Sequence, residues 1–297
     1  MMRKSWLPAY IALGVTWGCS FIFIELGLEF LTPFGVAFVR CALGAITLLI
    51  IVKVRKIALP KDKSTWRKLW IVALMLNVVP GILFAFAQQY VTSVVAGIIN
   101  ATTPLMTMVF MLLLFREQKL KSEQIIGLLI GATGVMVVLG IWKGIGDNQL
   151  IGVVALLLAV SCYGYSFPYT TRKILPLGLK PEAAATIQLC MAAITLLPLY
   201  LFDGIAEENY RLTPLLAVLA LGVLGSGFAY IWNFSIIAAA GGSIASTVTY
   251  VTPVVAVIVG WIFLGEQITW HEPIGAVFVI LGAAMTQGRL KRKVVSK

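Results

Sequence analysis

The chain has 297 residues, 60% of them hydrophobic and only 12% charged, with a mean hydropathy of +0.97. A soluble domain carries about 25% charged residues, so this composition excludes a water-facing globule: too little polar surface exists to cover the apolar mass. The net charge of +11 would suit nucleic acid in a soluble protein, but the basic residues stand in short clusters between apolar runs, with no nucleic-acid motif, and anionic lipid headgroups are the simpler partner.

A bilayer core about 30 Å thick needs roughly 20 apolar helical residues per crossing. Ten segments meet that demand: 6–25, 33–52, 67–87, 91–115, 122–141, 150–170, 182–202, 212–233, 242–264 and 271–288. The first follows a basic start, as a signal peptide would, but its apolar run is long and more runs follow, so it reads as an uncleaved span. It carries Thr16, Trp17 and Ser20, with Glu25 near its end. The second span holds Arg40 about seven residues in. Arginine at a helix centre costs about 2.5–3.5 kcal/mol on insertion scales. Arg40 is therefore expected either to pair with Glu25 or Glu29 at the interface, or to act at a gate or on a substrate carboxylate.

The third span contributes Asn77 and Gln88, and the fourth Asn100, Thr102 and Thr103 ahead of Pro104. Gly127, Gly131 and Gly134 in the fifth, like Gly14 and Gly18 in the first, permit close helix contacts. The sixth carries Tyr163, Tyr165 and Ser166; the eighth Ser226, Tyr230, Trp232 and Asn233; the ninth Ser246, Thr247, Thr249, Tyr250 and Pro253. QQYVTS (88–93) and AAAGGS (238–243) serve as tight turns. The tenth span starts at His271 and Glu272 beside Trp270, an interfacial grouping.

Polar groups in hydrocarbon need partners and turn inward. Trp17, Asn77, Gln88, Asn100, Thr103, Tyr163, Tyr165, Tyr230, Trp232, Asn233, Thr249 and Tyr250 are thus the candidate substrate contacts, Glu25 and Arg40 a gate or charge pair, and Pro104 and Pro253 hinges. Of the 23 Lys and Arg, twenty fall in alternate connections; the opposite class holds Lys143 and Arg211, and Arg40 lies within a span. This bias places both termini in the cytoplasm.

The chain repeats itself. NATTPLMTMVFMLLLFREQ (100–118) answers TYVTPVVAVIVGWIFLGEQ (249–267), with equal spacing from Pro104 to Glu117 and from Pro253 to Glu266. AITLL recurs at 45–49 and 193–197, TWGCS (16–20) parallels CYGYS (162–166), and Gly127 and Gly134 parallel Gly275 and Gly282. The offset drifts between 144 and 149 residues. The expected architecture is an all-α membrane protein of ten transmembrane helices in two five-helix repeats, 1–145 and 146–297. Five is odd, so the second repeat enters from the opposite side, the inverted topology of secondary transporters.

These motifs, with WGCSFIFIELGLEFLTPFGVAFVR (17–40) and IGAVFVILGAAM (274–285), resemble the ten-span EamA-type exporters of the drug/metabolite transporter superfamily over almost the whole chain. The resemblance implies outward movement of small metabolites across the bacterial inner membrane, neutral and aromatic amino acids first among them. It also implies a cavity lined by helices 1, 3, 4, 6, 8 and 9, with helices 5 and 10 peripheral. One position departs: relatives often carry Lys or Arg where Glu25 stands, which unsettles any carry-over of substrate preference.

The sequence carries no catalytic constellation, phosphate-binding loop or zinc pattern. Cys19, Cys41, Cys162 and Cys190 sit in apolar runs as small buried residues. The expected protein is not an enzyme, needs no cofactor or metal, and has a small-molecule substrate and membrane lipids as partners. Proton coupling through Glu25 is open, as is the oligomeric state, a monomer being sufficient. A multidrug or other metabolite exporter, and a lipid-handling or scaffold protein, stand as alternatives.

Overall fold

The computed structural model describes residues 6–113, 122–140, 142, 147–206 and 211–286. Among them the chain forms ten helical rods: α1 (Leu7–Gly27), α2 (Pro33–Val54), α3 (Lys63–Ala87), α4 (Ser93–Leu113), α5 (Ser122–Val138), α6 (Asp147–Tyr169), α7 (Pro181–Asp203), α8 (Leu212–Ala240), α9 (Gly242–Leu264) and α10 (His271–Thr286). Eight are long and apolar enough to cross a membrane. The exceptions are α5 and α10, of 17 and 16 residues. At 1.5 Å per residue they reach only about 24–26 Å, and the segments beyond their ends at 114–121 and 287–297 lie outside the described residues. The turn expected at AAAGGS contracts to Gly241, because α8 runs on to Ala240; Gly241 sits at φ +84°, where a side chain would be strained.

Local chemistry sets the helix starts. Proline occupies the first turn of α1, α2 and α7, where its missing N–H costs nothing. Thr32 and Thr92 cap α2 and α4 by accepting from Gly35 N and Val95 N. Asp62 caps α3 by accepting from Thr65 N at 2.8 Å. Hydrogen bonds from the side chain and then the backbone of Thr65 hold the Asp62 carboxyl below the usual carboxylate range. A depressed carboxyl adds stability that is present above its unfolded value and lost as pH falls through its folded one. Asp62→Ala is accordingly expected to lower the melting temperature slightly near neutrality. The difference from the parent should vanish in acid, which a thermal-unfolding series against pH checks.

The bundle is apolar outside and partly polar within. Phe202 and Val54 are 89% and 74% exposed, while Asn77, Asn100, Gln188 and Asn233 are buried. Lipid tails cover the first set, and the second must find partners between helices. α5 and α10 approach closely through their glycines. A Cβ on Gly134 would lie 2.6 Å from Val279 N, and one on Gly282 would lie 2.5 Å from Gly127 O. Gly134 also faces Gly275, so contacts descend along α10 as they climb α5, and the two helices run antiparallel.

Other contacts occur twice under the sequence offsets. Gly18 packs on Val255, and Gly164, 146 residues after Gly18, packs on Met106, 149 residues before Val255. A π-helical turn at Leu74–Val78 in α3 has its counterpart at Val223–Phe228 in α8, also 149 residues on. The α4 and α9 rods break at matching places. In α4 the α-helix stops at Asn100 and resumes at Thr103 before Pro104; in α9 a 3-10 turn at Thr247–Tyr250 precedes Thr252 and Pro253.

Candidate functional site

The breaks in α4 and α9 and the π turns in α3 and α8 surround one space in the middle of the bundle. Trp17, Ser20, Phe21 and Ile24 of α1, Arg40 of α2, Leu76 and Phe84 of α3, Asn100 of α4, Tyr163 and Phe167 of α6, Tyr230 of α8 and Thr249 of α9 line it. The lining helices are those the sequence resemblance implied, with α2 added through Arg40. About 40 Å³ is open to the centre of a water-sized sphere, room for roughly three waters.

Its walls are mostly aromatic. Phe84 stacks on Tyr163 at 5.6 Å between ring centres and tilts against Phe21 at 5.8 Å; Trp17 meets Tyr230 edge-on at 5.9 Å. The Trp17 indole donates to Gly225 O at 3.3 Å, the Tyr230 hydroxyl to Leu76 O at 3.1 Å, and Asn100 Nδ2 to Thr252 Oγ1 at 3.2 Å. Both backbone acceptors, Gly225 and Leu76, lie in π turns, whose widened backbone leaves carbonyls free of the helix ladder.

Arg40 is the charged member of the lining. It is 8% exposed, and its Nε donates to Ser226 Oγ at 3.3 Å, on the π turn of α8. Among the described residues no carboxylate lies within ion-pair distance of it. Of the partners expected for it, Glu29 pairs instead with Arg211. No ion pair joins Arg40 to Glu25 among the described residues, and Arg40 meets Ser226. Arg40 sits about 10 Å below the start of α2 and lines the cavity.

The same geometry recurs without the charge. Gln188 on α7 takes the place of Arg40, 148 residues on, and its Nε2 donates to Asn77 Oδ1 on the π turn of α3. Asn77 is the counterpart of Ser226 at the 149-residue offset. Two equivalent polar junctions thus flank the cavity, and only one carries a positive charge.

Trp17, Asn100, Tyr163, Tyr230, Thr249 and Arg40 are brought together; the other candidates lie around them. Asn77 is held by Gln188, and Gln88 donates to Phe21 O at 2.8 Å. Thr103 bonds back to Asn100 O at 2.7 Å. Tyr165 stacks on Tyr169 and meets Phe110 edge-on, and Trp232 lies against Phe228. Each of these two follows a lining tyrosine by two residues, about 200° around the helix, and so cannot share its face. Tyr250 follows Thr249 in the 3-10 turn, and Asn233 is fully buried with neither amide atom hydrogen-bonded. Sequence reasoning missed Phe21, Phe84, Phe167 and Leu76, which are apolar residues in apolar spans. It also missed Gln188, whose signal was a lone amide within the seventh span.

The EamA-like transporter family model matches the chain twice, over residues 4–140 and 150–287. YdfC of Bacillus subtilis (strain 168), an uncharacterized transporter, is 26% identical over 292 residues, 96% of this chain and 92% of that one. YedA of Escherichia coli (strain K12), an uncharacterized inner membrane transporter, is 29% identical over 267 residues, 89% and 84% of the two chains. Protein PecM of Dickeya dadantii (strain 3937) is 26% identical over 271 residues, 91% and 88%. A solved structure titled only as the crystal structure of a protein superposes with a TM-score of 0.70 at 20% identity, covering 98% of this chain and all of the other, and shares the fold.

Proposed function

The chain belongs to the EamA-like transporter family, and from that membership we propose that it exports small carboxylate-bearing metabolites across the bacterial inner membrane by alternating access, neutral and aromatic amino acids foremost. The observation that carries this reading is Arg40: a buried guanidinium with no carboxylate partner among the described residues, in an aromatic-walled space between the two repeats. A planar fork of donors suits a carboxylate. The rings of Phe84, Tyr163, Tyr230 and Trp17 suit an aromatic or aliphatic side chain. Among the described residues no carboxylate stands in the lining, which disfavours a cationic drug.

Ten crossings in two inverted five-helix units, 1–145 and 146–297, with both termini cytoplasmic, is the topology this function uses. Contact exchange supports it. Gly127 meets Gly282 while Gly134 meets Gly275, so each member of a repeat pair touches the other pair's mate, as twofold symmetry demands. Because α5 and α10 are mates and run antiparallel, the axis lies across the helices, in the membrane plane.

Purified protein in liposomes loaded with labelled phenylalanine tests the reading. Tyr163→Ala and Tyr230→Ala are each expected to cut efflux about tenfold or more, since a ring contact and its buried area are worth roughly 2–3 kcal/mol. Unchanged flux in both, with the parent active, would remove this cavity from the transport path.

A further inference from the structure

Among the described residues, Asn233 is the buried amide that leaves both of its polar atoms without a hydrogen bond. It lies in α8 and is fully buried. Taking an amide out of water without replacing its bonds is unfavourable, and such a group in a folded protein calls for a reason. Tyr230 stands three residues before it, on the same face of the helix, and lines the central cavity.

The repeat says what that face is for. Phe84 of α3 is the counterpart of Asn233 at the 149-residue offset. That offset holds on both sides of the pair: the π turns begin at Leu74 and Val223, and the next rods begin at Ser93 and Gly242. Phe84 lines the cavity together with Arg40, packing on Phe21 and Tyr163. The counterparts of those three are Gln188, at 148 residues, and Phe167 and Trp17, at 146. Phe167 and Trp17 line the cavity too. Gln188 Oε1, like the Asn233 amide, is buried without a donor.

The exchange between the halves changes the chemistry. A ring at Phe84 becomes an amide at Asn233, and a cation at Arg40 becomes an amide at Gln188. Neither substitute carries charge, and each side chain offers an acceptor as well as donors.

We propose that Asn233 is a substrate contact in the inner half of the transport path, the mirror of the half that Phe84 lines, and that it takes the charged head of a zwitterionic amino acid. Inverted repeats exchange their arrangements as access alternates, so the inner half opens with the counterparts of the present lining at its surface. Opening to the cytoplasm then gives the Asn233 amide water or solute to bond. Its Oδ1 accepts from the ammonium of the substrate, and its Nδ2 donates to the carboxylate. A phenyl ring at this position could do neither. The assignment of sides and of solute rests on the transport reading above; the opening at Asn233 does not require flux.

Two measurements on the full chain test the contact. In the first, Asn233→Cys and Phe84→Cys are placed separately in a variant whose four native cysteines are alanine, and an impermeant thiol reagent is applied to right-side-out and to inverted membrane vesicles. Asn233→Cys is expected to react only in inverted vesicles, and Phe84→Cys only in right-side-out ones. Reaction of Asn233→Cys from the outer face, or from neither face, would overturn the proposal. In the second, Asn233→Leu keeps the volume and removes the unpartnered amide. Its melting temperature is expected to equal or exceed that of the parent. Binding of labelled phenylalanine to the purified protein should weaken about tenfold or more, the worth of a hydrogen bond to a charged group. Binding of labelled 3-phenylpropanoate, which lacks the ammonium, should weaken less, so the parent's preference for phenylalanine falls. A lower melting temperature with equal losses for both solutes would make Asn233 a structural residue, and a parent without the preference would also sink the contact. If the cysteine-free variant fails to fold, the binding comparison still decides. Inner labelling and the lost preference in a protein that moves no phenylalanine would refute export alone; export with the preference intact in Asn233→Leu would refute the contact alone.

Discussion

Arg40→Ala is expected to reduce phenylalanine efflux by about 10- to 100-fold while leaving the protein folded. A charge-assisted hydrogen bond contributes about 1.5–3 kcal/mol, and each 1.4 kcal/mol is about a factor of ten. Folding should survive because the observed Arg40 contact is a single 3.3 Å bond to Ser226 Oγ; its removal lightens the desolvation burden of a buried cation. Arg40→Lys should fall between parent and alanine, since an ammonium restores charge without the bidentate fork. The discriminating arm is phenylalanine amide, which keeps the ring and lacks the carboxylate. If Arg40 recognises the carboxylate, Arg40→Ala costs phenylalanine its advantage over the amide. Equal losses for both solutes would assign Arg40 to the architecture of the cavity and not to recognition.

The second large effect concerns stability. Gly134→Val and Gly282→Val are each expected to destabilise by about 1–3 kcal/mol, read as a lower melting temperature in detergent. The reason is what a new Cβ would meet: Val279 N at 2.6 Å from Gly134, and Gly127 O at 2.5 Å from Gly282. These are backbone atoms of a neighbouring helix and cannot rotate away, so α5 and α10 must separate. In a bilayer no hydrophobic force draws helices together, and such close packing supplies much of the association. The two changes act on one interface, so the double variant should lose less than the sum. Met136→Val, on the 44% exposed face of α5, is the control and should change little. Because the glycine seam stands apart from the cavity lining, flux per folded molecule should persist. A loss of flux without a loss of stability would place α5 and α10 in the transport movement itself.

The comparison of Gln188 with Arg40 gives the repeat a functional meaning. Both residues stand at the same junction with a π turn, one on Ser226 and one on Asn77. Duplication with symmetric packing would build two equal poles; a single substitution makes one of them cationic. A solute with one carboxylate would then bind in one orientation, its charge toward the α2–α8 junction. In the proposed cycle the symmetric scaffold would supply two exchanging conformations, and the asymmetric side chains would give the solute a direction within it.

The membrane class, the helical segments and the internal repeat were readable from the residues, because each is a one-dimensional property. Length and apolarity set the spans, and equal spacing from Pro104 to Glu117 and from Pro253 to Glu266 set the duplication. Membership of the transporter family followed from those motifs. Partners were not readable. That Arg40 meets Ser226 and Gln188 meets Asn77 depends on contacts 100 or more residues apart in the chain, and that Tyr163 lines the cavity while Tyr165 packs on Tyr169 depends on helix rotation. In hydrocarbon every inward face looks alike to the sequence. Only packing of one helix against another decides which polar side chain finds a neighbour and which is left facing the space between them.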